Sequence, residues 1–117
     1  MCLFQLIFQN RTHYFNQSIY DLRTGEHITD YERGYGCNYP VASQHLLLFR
    51  TDSAGYYDLD SYGGTGNFVG FRTGCVNGLV AAGGILSVPT MADHCVCNYP
   101  VSTSVALYHD PSSDVWM

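Results

Sequence analysis

The chain gathers its metal-ligating side chains most densely at Asp93-His94-Cys95-Val96-Cys97. Alternate residues of an extended strand share a face, so Cys95 and Cys97 could offer two thiolates to a metal, with His94 or Asp93 beside them. Zinc sites usually separate paired cysteines by two to four residues, and no second pair of suitable form is present. The two thiols read better as halves of disulfides. Bridging across a single intervening residue is strained, so each is expected to bond a distant partner, Cys37 or Cys75. A bridge closing a loop of that size contributes about 2 to 4 kcal/mol.

Asp58 and Asp60 stand two residues apart with Asp52 close by, a pattern that could serve paired acid-base chemistry or calcium. The calcium-loop spacing is not met, however. The recurrence of Tyr20-Asp21-Leu22 as Tyr57-Asp58-Leu59 explains Asp58 as a turn-capping residue that accepts backbone amides. Ser43, His45 and Asp58 supply the residue types of a hydrolytic triad, but no nucleophile elbow surrounds the serine. Gly63-Gly64-Thr65-Gly66-Asn67 resembles a phosphate cradle only superficially, because no lysine exists and no helix follows, so it is expected to be a flexible turn. The histidines at 13, 27, 45, 94 and 109 match neither His-x-x-x-His nor His-Glu-x-x-His spacing. No catalytic, cofactor-binding or metal-binding residue is assigned. A non-enzymatic protein without cofactor is expected.

The elements that would carry these residues are short and repeated. Cys37-Asn38-Tyr39-Pro40-Val41 returns as Cys97-Asn98-Tyr99-Pro100-Val101. Asp21 recurs 37 residues later as Asp58, and Gly36-Cys37 recurs 38 residues later as Gly74-Cys75. Self-similarity at this period indicates stacked or radially arranged supersecondary units. Strands are expected at 3–8, 13–22, 27–31, 46–50, 56–59, 67–71, 95–99 and 104–109. The span 76–88 holds two more around a glycine turn. Ala81 and Ala82 in that span could suggest a helix, but Gly78, Gly83 and Gly84 would each cost it about 1 kcal/mol. The predicted fold is all-β, with antiparallel sheets from units of about 38 residues, propeller-blade-like or a small sandwich, stapled by disulfides at Cys37, Cys75, Cys95 and Cys97. A closed propeller takes at least about four blades, whereas this chain holds about three. Residues 1–110 are expected to form one β domain, with 1–9 an edge or exchanged strand and 111–117 a tail.

Composition narrows the partners. Charged residues make up only 13% of the chain, so its surface must be covered by tyrosine, serine, threonine and asparagine or by other molecules. The net charge is −5, and the five basic residues are all arginines, at 11, 23, 33, 50 and 72. Scattered arginines in an acidic chain do not form the basic patch that nucleic acid or an anionic membrane requires. They are expected instead to pair with aspartates or stack on tyrosines. Five cysteines without an enzyme motif point to an oxidising compartment, extracellular, at the cell surface or periplasmic. Asn10 and Asn16 begin tripeptides of the N-glycosylation pattern. The opening residues lack the form of a signal peptide, and no run is long enough to span a bilayer.

Tyr20-Asp21-Leu22-Arg23-Thr24-Gly25-Glu26 resembles the Asp-x-x-Thr-Gly-Glu turn of pyrroloquinoline-quinone-type β-propeller repeats. The series Gly36-Cys37, Ser43 to Arg50, Gly55 to Leu59, Gly70-Phe71-Arg72, Gly74-Cys75, Ala81 to Leu86 and Cys95-Val96-Cys97 with Tyr99 is similar to the cysteine-containing C-terminal region of such proteins in planctomycete-like bacteria. The similarity covers most of residues 17–109. It departs from the repeat where Tyr20 stands in place of alanine and Ile28 near the usual tryptophan. Many propellers of this type bind no quinone, so the resemblance implies an extracytoplasmic scaffold or binding module rather than a dehydrogenase. Tyrosine-rich surfaces suit carbohydrate or protein contacts. The alternatives are a self-assembling oligomer or fibre subunit that adds strands to its neighbours, and a fragment of a quinone-dependent dehydrogenase.

Overall fold

The computed structural model describes residues 6–9, 17–90 and 103–115, and the secondary structure within them is strands with a single short 3₁₀ turn. Ten strands follow in chain order: β1 (Leu6–Gln9), β2 (Gln17–Asp21), β3 (His27–Tyr31), β4 (Val41–Ala42), β5 (Leu46–Thr51), β6 (Ser53–Asp58), β7 (Thr65–Asn67), β8 (Val80–Ala82), β9 (Ile85–Val88) and β10 (Val105–Tyr108). They pair with sequence neighbours into three antiparallel sheets, β1-β2-β3, β4-β5-β6-β7 and β8-β9-β10. The all-β, antiparallel expectation is met.

Strand alternation explains how the sheets stack. In β5, Leu47 and Phe49 join Tyr57 and Leu59 on one face and pack against Ile19 and Tyr31 of the first sheet. Leu48 lies on the opposite face with Ala54 and packs against Leu79 and Val88, with Leu86, Ala81 and Val105 alongside. The middle sheet is thus covered on both faces, which is why β5 reads as a continuous apolar run. The rings of Tyr31 and Phe49, with centroids 5.3 Å apart, join the first and middle sheets.

Turn chemistry repeats with the sequence. The Asp21 carboxylate accepts the amides of Arg23 and Thr24, and its carbonyl accepts the amide of Gly25 at 2.8 Å. The Asp58 carboxylate accepts the Asp60 amide at 2.9 Å, and its carbonyl accepts the Tyr62 amide at 3.0 Å. Both aspartates close the same five-residue turn, 21–25 and 58–62, as the Tyr-Asp-Leu recurrence predicts. The β8–β9 hairpin turns on Gly83 and Gly84, at φ 59° and 78°, so residues 80–88 are two strands as expected.

Three boundaries differ from expectation. The pairing that 67–71 was expected to make falls instead on β7 at 65–67, so the glycine-rich segment ends in a strand. Residues 69 and 70 bulge out, with Val69 at φ 50° and Gly70 at 99°, between the Phe68 amide and the Phe71 carbonyl, which both bond Ala54, and the Asn67 side chain caps the Val69 amide and ties back to Thr51. The hairpin joining β5 to β6 is tighter than its loop-like sequence suggests, turning at Asp52 alone with φ 63°. Pro111–Val115 forms a 3₁₀ turn, capped by Asp110, where a tail was expected. The expected strand at 95–99, the sequons at Asn10 and Asn16, and Cys95 and Cys97 lie outside the described residues.

Candidate functional site

The chemistry-bearing residues of the middle of the chain converge on the segment 33–40, which runs beside the end of β5. Its backbone lies so close that a Cβ on Gly36 would stand 2.6 Å from the Arg50 carbonyl oxygen. The Gly34 amide donates to Thr51 Oγ1 at 2.7 Å, and the Asp52 amide donates to the Tyr35 carbonyl at 2.6 Å. Gly34 and Gly36 therefore serve close approach.

Arg33 and Asn38 fasten this segment from within. Arg33 is 9% exposed and donates Nε to the Arg50 carbonyl at 2.9 Å. Its Nη2 serves the Asn38 side-chain oxygen at 3.0 Å, the Asn38 carbonyl, and Gly36 O at 3.4 Å. Asn38 Oδ1 also accepts the Arg50 amide at 3.1 Å, while its Nδ2 donates to Thr73 Oγ1 at 2.7 Å. A single asparagine thereby links its own segment to β5 and to the strand-free segment before β8. Burial pulls the Arg33 guanidinium below its ordinary pKa, and the carbonyl oxygens around it supply compensating dipoles.

Arg50 and Arg72 are fully buried. The Arg50 guanidinium lies 5.6 Å from the Tyr35 ring centre, and Arg33 lies 5.8 Å from that of Phe49. Stacking of arginine on tyrosine was expected. The burial of three arginines inside the protein was not, because charge counting treats arginines as surface groups. The legible clue was the Cys-Asn-Tyr-Pro recurrence, whose asparagine carries the junction.

The outer side of the same segment is open. Tyr39 is 76% exposed, and Tyr35 and Cys37 are also exposed, at every second position. Val76, 86% exposed, follows Thr73 on the segment that Asn38 holds alongside.

The remaining candidates are not brought together as chemistry would need. Ser43 Oγ is used locally, donating to Leu46 O at 3.2 Å and accepting its amide at 3.1 Å. His45 Nδ1 meets Asp60 Oδ2 at 2.8 Å rather than Asp58, and both groups are solvent-exposed. Ser43, His45 and Asp58 are therefore not assembled as a triad. Asp58 receives the Ser61 hydroxyl at 2.7 Å, which holds its carboxyl below the usual range. Among the described residues, no three His, Cys, Asp or Glu side chains cluster as a metal site would, and no helix is long and apolar enough to cross a membrane.

Among the described residues no disulfide is formed, and the bridges expected from Cys95 and Cys97 fall outside them. Cys37 is exposed, Cys75 is half-buried, and no bond joins them. Cys37 lies instead toward the Tyr35 hydroxyl, 3.9 Å away. No family model, curated protein or solved structure matches this chain.

Proposed function

We propose that the chain is a non-catalytic scaffold or binding module of propeller-like, extracytoplasmic type, recognising carbohydrate or protein through segment 33–40. The observation that carries this reading is the two-sided construction of that segment. Arg33 and Asn38 fix its backbone from inside while Tyr39 faces outward and Tyr35, its ring against the buried Arg50 guanidinium, keeps a partly exposed edge beside it. An aromatic on a fixed backbone binds with little ordering cost, which favours recognition by tyrosine over recognition by flexible charged side chains. The self-contained use of Ser43, Asp21 and Asp58 in turns supports a non-enzymatic role. The resemblance to propeller repeats and the cysteine count support an extracytoplasmic setting with disulfides at Cys37, Cys75, Cys95 and Cys97 in the oxidised protein.

Glycan-array screening and affinity capture with the purified chain test the binding role. Tyr39→Ala is expected to lower the affinity of any captured partner at least about tenfold. Binding at background level in both assays would remove the reading. Mass spectrometry without reduction tests the setting separately, since free thiols throughout would argue against it.

Self-assembly by strand addition is a second reading. It is supported by the open edges at β1 and β10, each of which ends its sheet with one side unpaired by the described strands. Electron microscopy of concentrated chain distinguishes fibres from discrete particles.

A further inference from the structure

The β8-β9-β10 sheet carries an apolar face that none of the described residues covers. Its register places Val80, Ser87 and Ala106 in one row and Ala82, Ile85 and Tyr108 in the next. All six are exposed, with Val80 at 46%, Ile85 at 48% and Tyr108 at 73%. Neither row holds a charge. Ala81, Leu86, Val88 and Val105 face the other way, into the core against the middle sheet. Scattered exposed apolar residues are ordinary, but two adjoining rows with one serine and no charge form a patch of the kind that marks an interface.

The internal repeat indicates what belongs there. The 60-residue spacing from Cys37 to Cys97 sets Leu46, Leu47 and Leu48 against Ala106, Leu107 and Tyr108. In the first copy, Leu47 faces the preceding sheet, while Leu46 and Leu48 face the following one. In the second copy, Leu107 shares its row with Leu86 and so faces the preceding sheet. Ala106 and Tyr108 then point to where the first copy has its next sheet. The position is shaped for another β-sheet rather than for solvent.

The opposite end of the stack is a poorer match for that sheet in a second molecule, because it carries a carboxylate. Across β2 and β3 its outward rows are Ser18 with Asp30 and Tyr20 with His27. Ser18 donates to Asp30 at 2.6 Å, and His27 meets the same carboxylate at 2.7 Å. By register β1 adds Gln9 to the first row and Ile7 to the second, and the hydrogen-bonded Ser18, His27 and Asp30 give this end the polar character with which stacked repeats finish. Head-to-tail stacking would press the Asp30 carboxylate against Val80 and Ile85 and strip its water without a partner. The surface that matches the bare face is the same face of another copy, an isologous arrangement that closes on itself.

We propose that a second copy of this chain docks sheet to sheet on Val80, Ala82, Ile85, Ala106 and Tyr108, forming a twofold dimer. This goes beyond the scaffold reading, since an enzyme or an inert module could pair in the same way.

Sedimentation velocity of the full chain from about 1 to about 100 μM tests it, with a concentration-dependent shift from monomer to dimer expected. Ile85→Lys places like charges across the twofold axis and is expected to weaken the dimer at least about tenfold. His27→Lys, on the polar end, leaves it unchanged. Should Ile85→Lys fail to fold, Tyr108→Asp carries the same test on a more exposed side chain. The Ile85 methyl resonance of the unaltered chain is also expected to move with dimer fraction. A monomer at about 100 μM, a dimer indifferent to both face variants, or an unmoved Ile85 methyl signal across the transition would overturn the proposal. A monomer that still bound a glycan or protein would overturn this pairing and leave the scaffold reading standing.

Discussion

Arg33 and Arg50 are joined through one main-chain oxygen: Arg33 Nε donates to the Arg50 carbonyl at 2.9 Å, and both side chains are buried. The guanidinium is planar and carries several fixed donors, so Arg33 can serve the carbonyls of Arg50, Gly36 and Asn38 together. An ammonium group cannot reproduce that fork. Arg33→Lys is therefore expected to destabilise the chain nearly as much as Arg33→Met, by about 2 to 4 kcal/mol, through carbonyls left without donors. Urea unfolding checks this, and full stability in Arg33→Lys would show that charge alone holds the segment.

Gly36→Ala and Gly25→Ala separate close approach from backbone conformation. At Gly36 an added Cβ meets the Arg50 carbonyl oxygen at 2.6 Å and the Arg50 Cβ at 2.9 Å, and neither is the free end of a flexible side chain. At Gly25 the space is open, but φ is 73°. Overpacking is expected to cost Gly36→Ala about 1 to 3 kcal/mol, and the left-handed backbone to cost Gly25→Ala about 1 to 2 kcal/mol. The functional consequence differs more than the energy. Gly36→Ala should also disturb the Tyr35 and Tyr39 resonances, while Gly25→Ala leaves them in place. Equal effects on those tyrosines would refute the assignment of Gly36 to segment 33–40 docking.

Acid should loosen the turns first. The Ser61 hydroxyl and then the Asp60 amide hold Asp58 below its ordinary pKa, the Ser18 hydroxyl and then His27 do so for Asp30, and the Ser112 hydroxyl does so for Asp110. A depressed folded-state pKa means that the unfolded chain binds the proton more readily. The stabilisation is then present above the unfolded value near 4 and is lost as pH falls through the folded value. The melting temperature is expected to fall below about pH 4, with Ser61→Ala shifting the Asp58 carboxyl titration upward. Carbon-detected NMR of the aspartates follows each group, and an unshifted Asp58 titration in Ser61→Ala would remove the hydroxyl as the cause.

The turns and hairpins were legible because their signals are local. Asp21 with Gly25, Asp58 with its Tyr-Asp-Leu frame, and the Gly83-Gly84 pair each fix a bend within a few residues. Residues 67–71 were misplaced as a strand because Phe68, Val69 and Phe71 suit a sheet by type. The chain bulges at 69 and 70 instead, with the Asn67 side chain reaching the Val69 amide and the Thr51 carbonyl. The arginine junction was less legible still. Arg33, Asn38, Arg50 and Thr73 are separated by up to 40 residues, and nothing in their spacing says that they meet. Composition predicted the arginine-tyrosine stacking in kind, but only the path of segment 33–40 along β5 determines which pair forms. The exposed face of β8-β9-β10 was hidden for a similar reason, since its apolar residues read as ordinary core until the register shows which rows face outward.

Tyr31 provides the corresponding test at alkaline pH. Its ring packs between Phe49 and Tyr57, with centroids 5.3 and 5.7 Å away, and its hydroxyl donates to Gln17 Oε1 at 2.5 Å. Burial raises its pKa to about 12, against the opposing pull of nearby Arg33. A raised pKa in the folded state means that the folded chain holds the proton more tightly than the unfolded one. The stabilisation is complete below the unfolded value near 10 and is lost as pH rises through the folded value of about 12. That loss amounts to about 2 to 3 kcal/mol, at one pKa unit per 1.4 kcal/mol. Tyr31→Phe removes the ionisable group while keeping the ring, so it is expected to be somewhat less stable at neutral pH, where the Gln17 bond is lost, yet to lose less stability between pH 10 and 12. Chemical unfolding at a series of pH values, with tyrosinate absorbance followed in parallel, measures both slopes. Parallel curves for the two chains would show that Tyr31 ionises as freely in the fold as outside it, and the packing of the first sheet on the middle one would then not set its proton affinity.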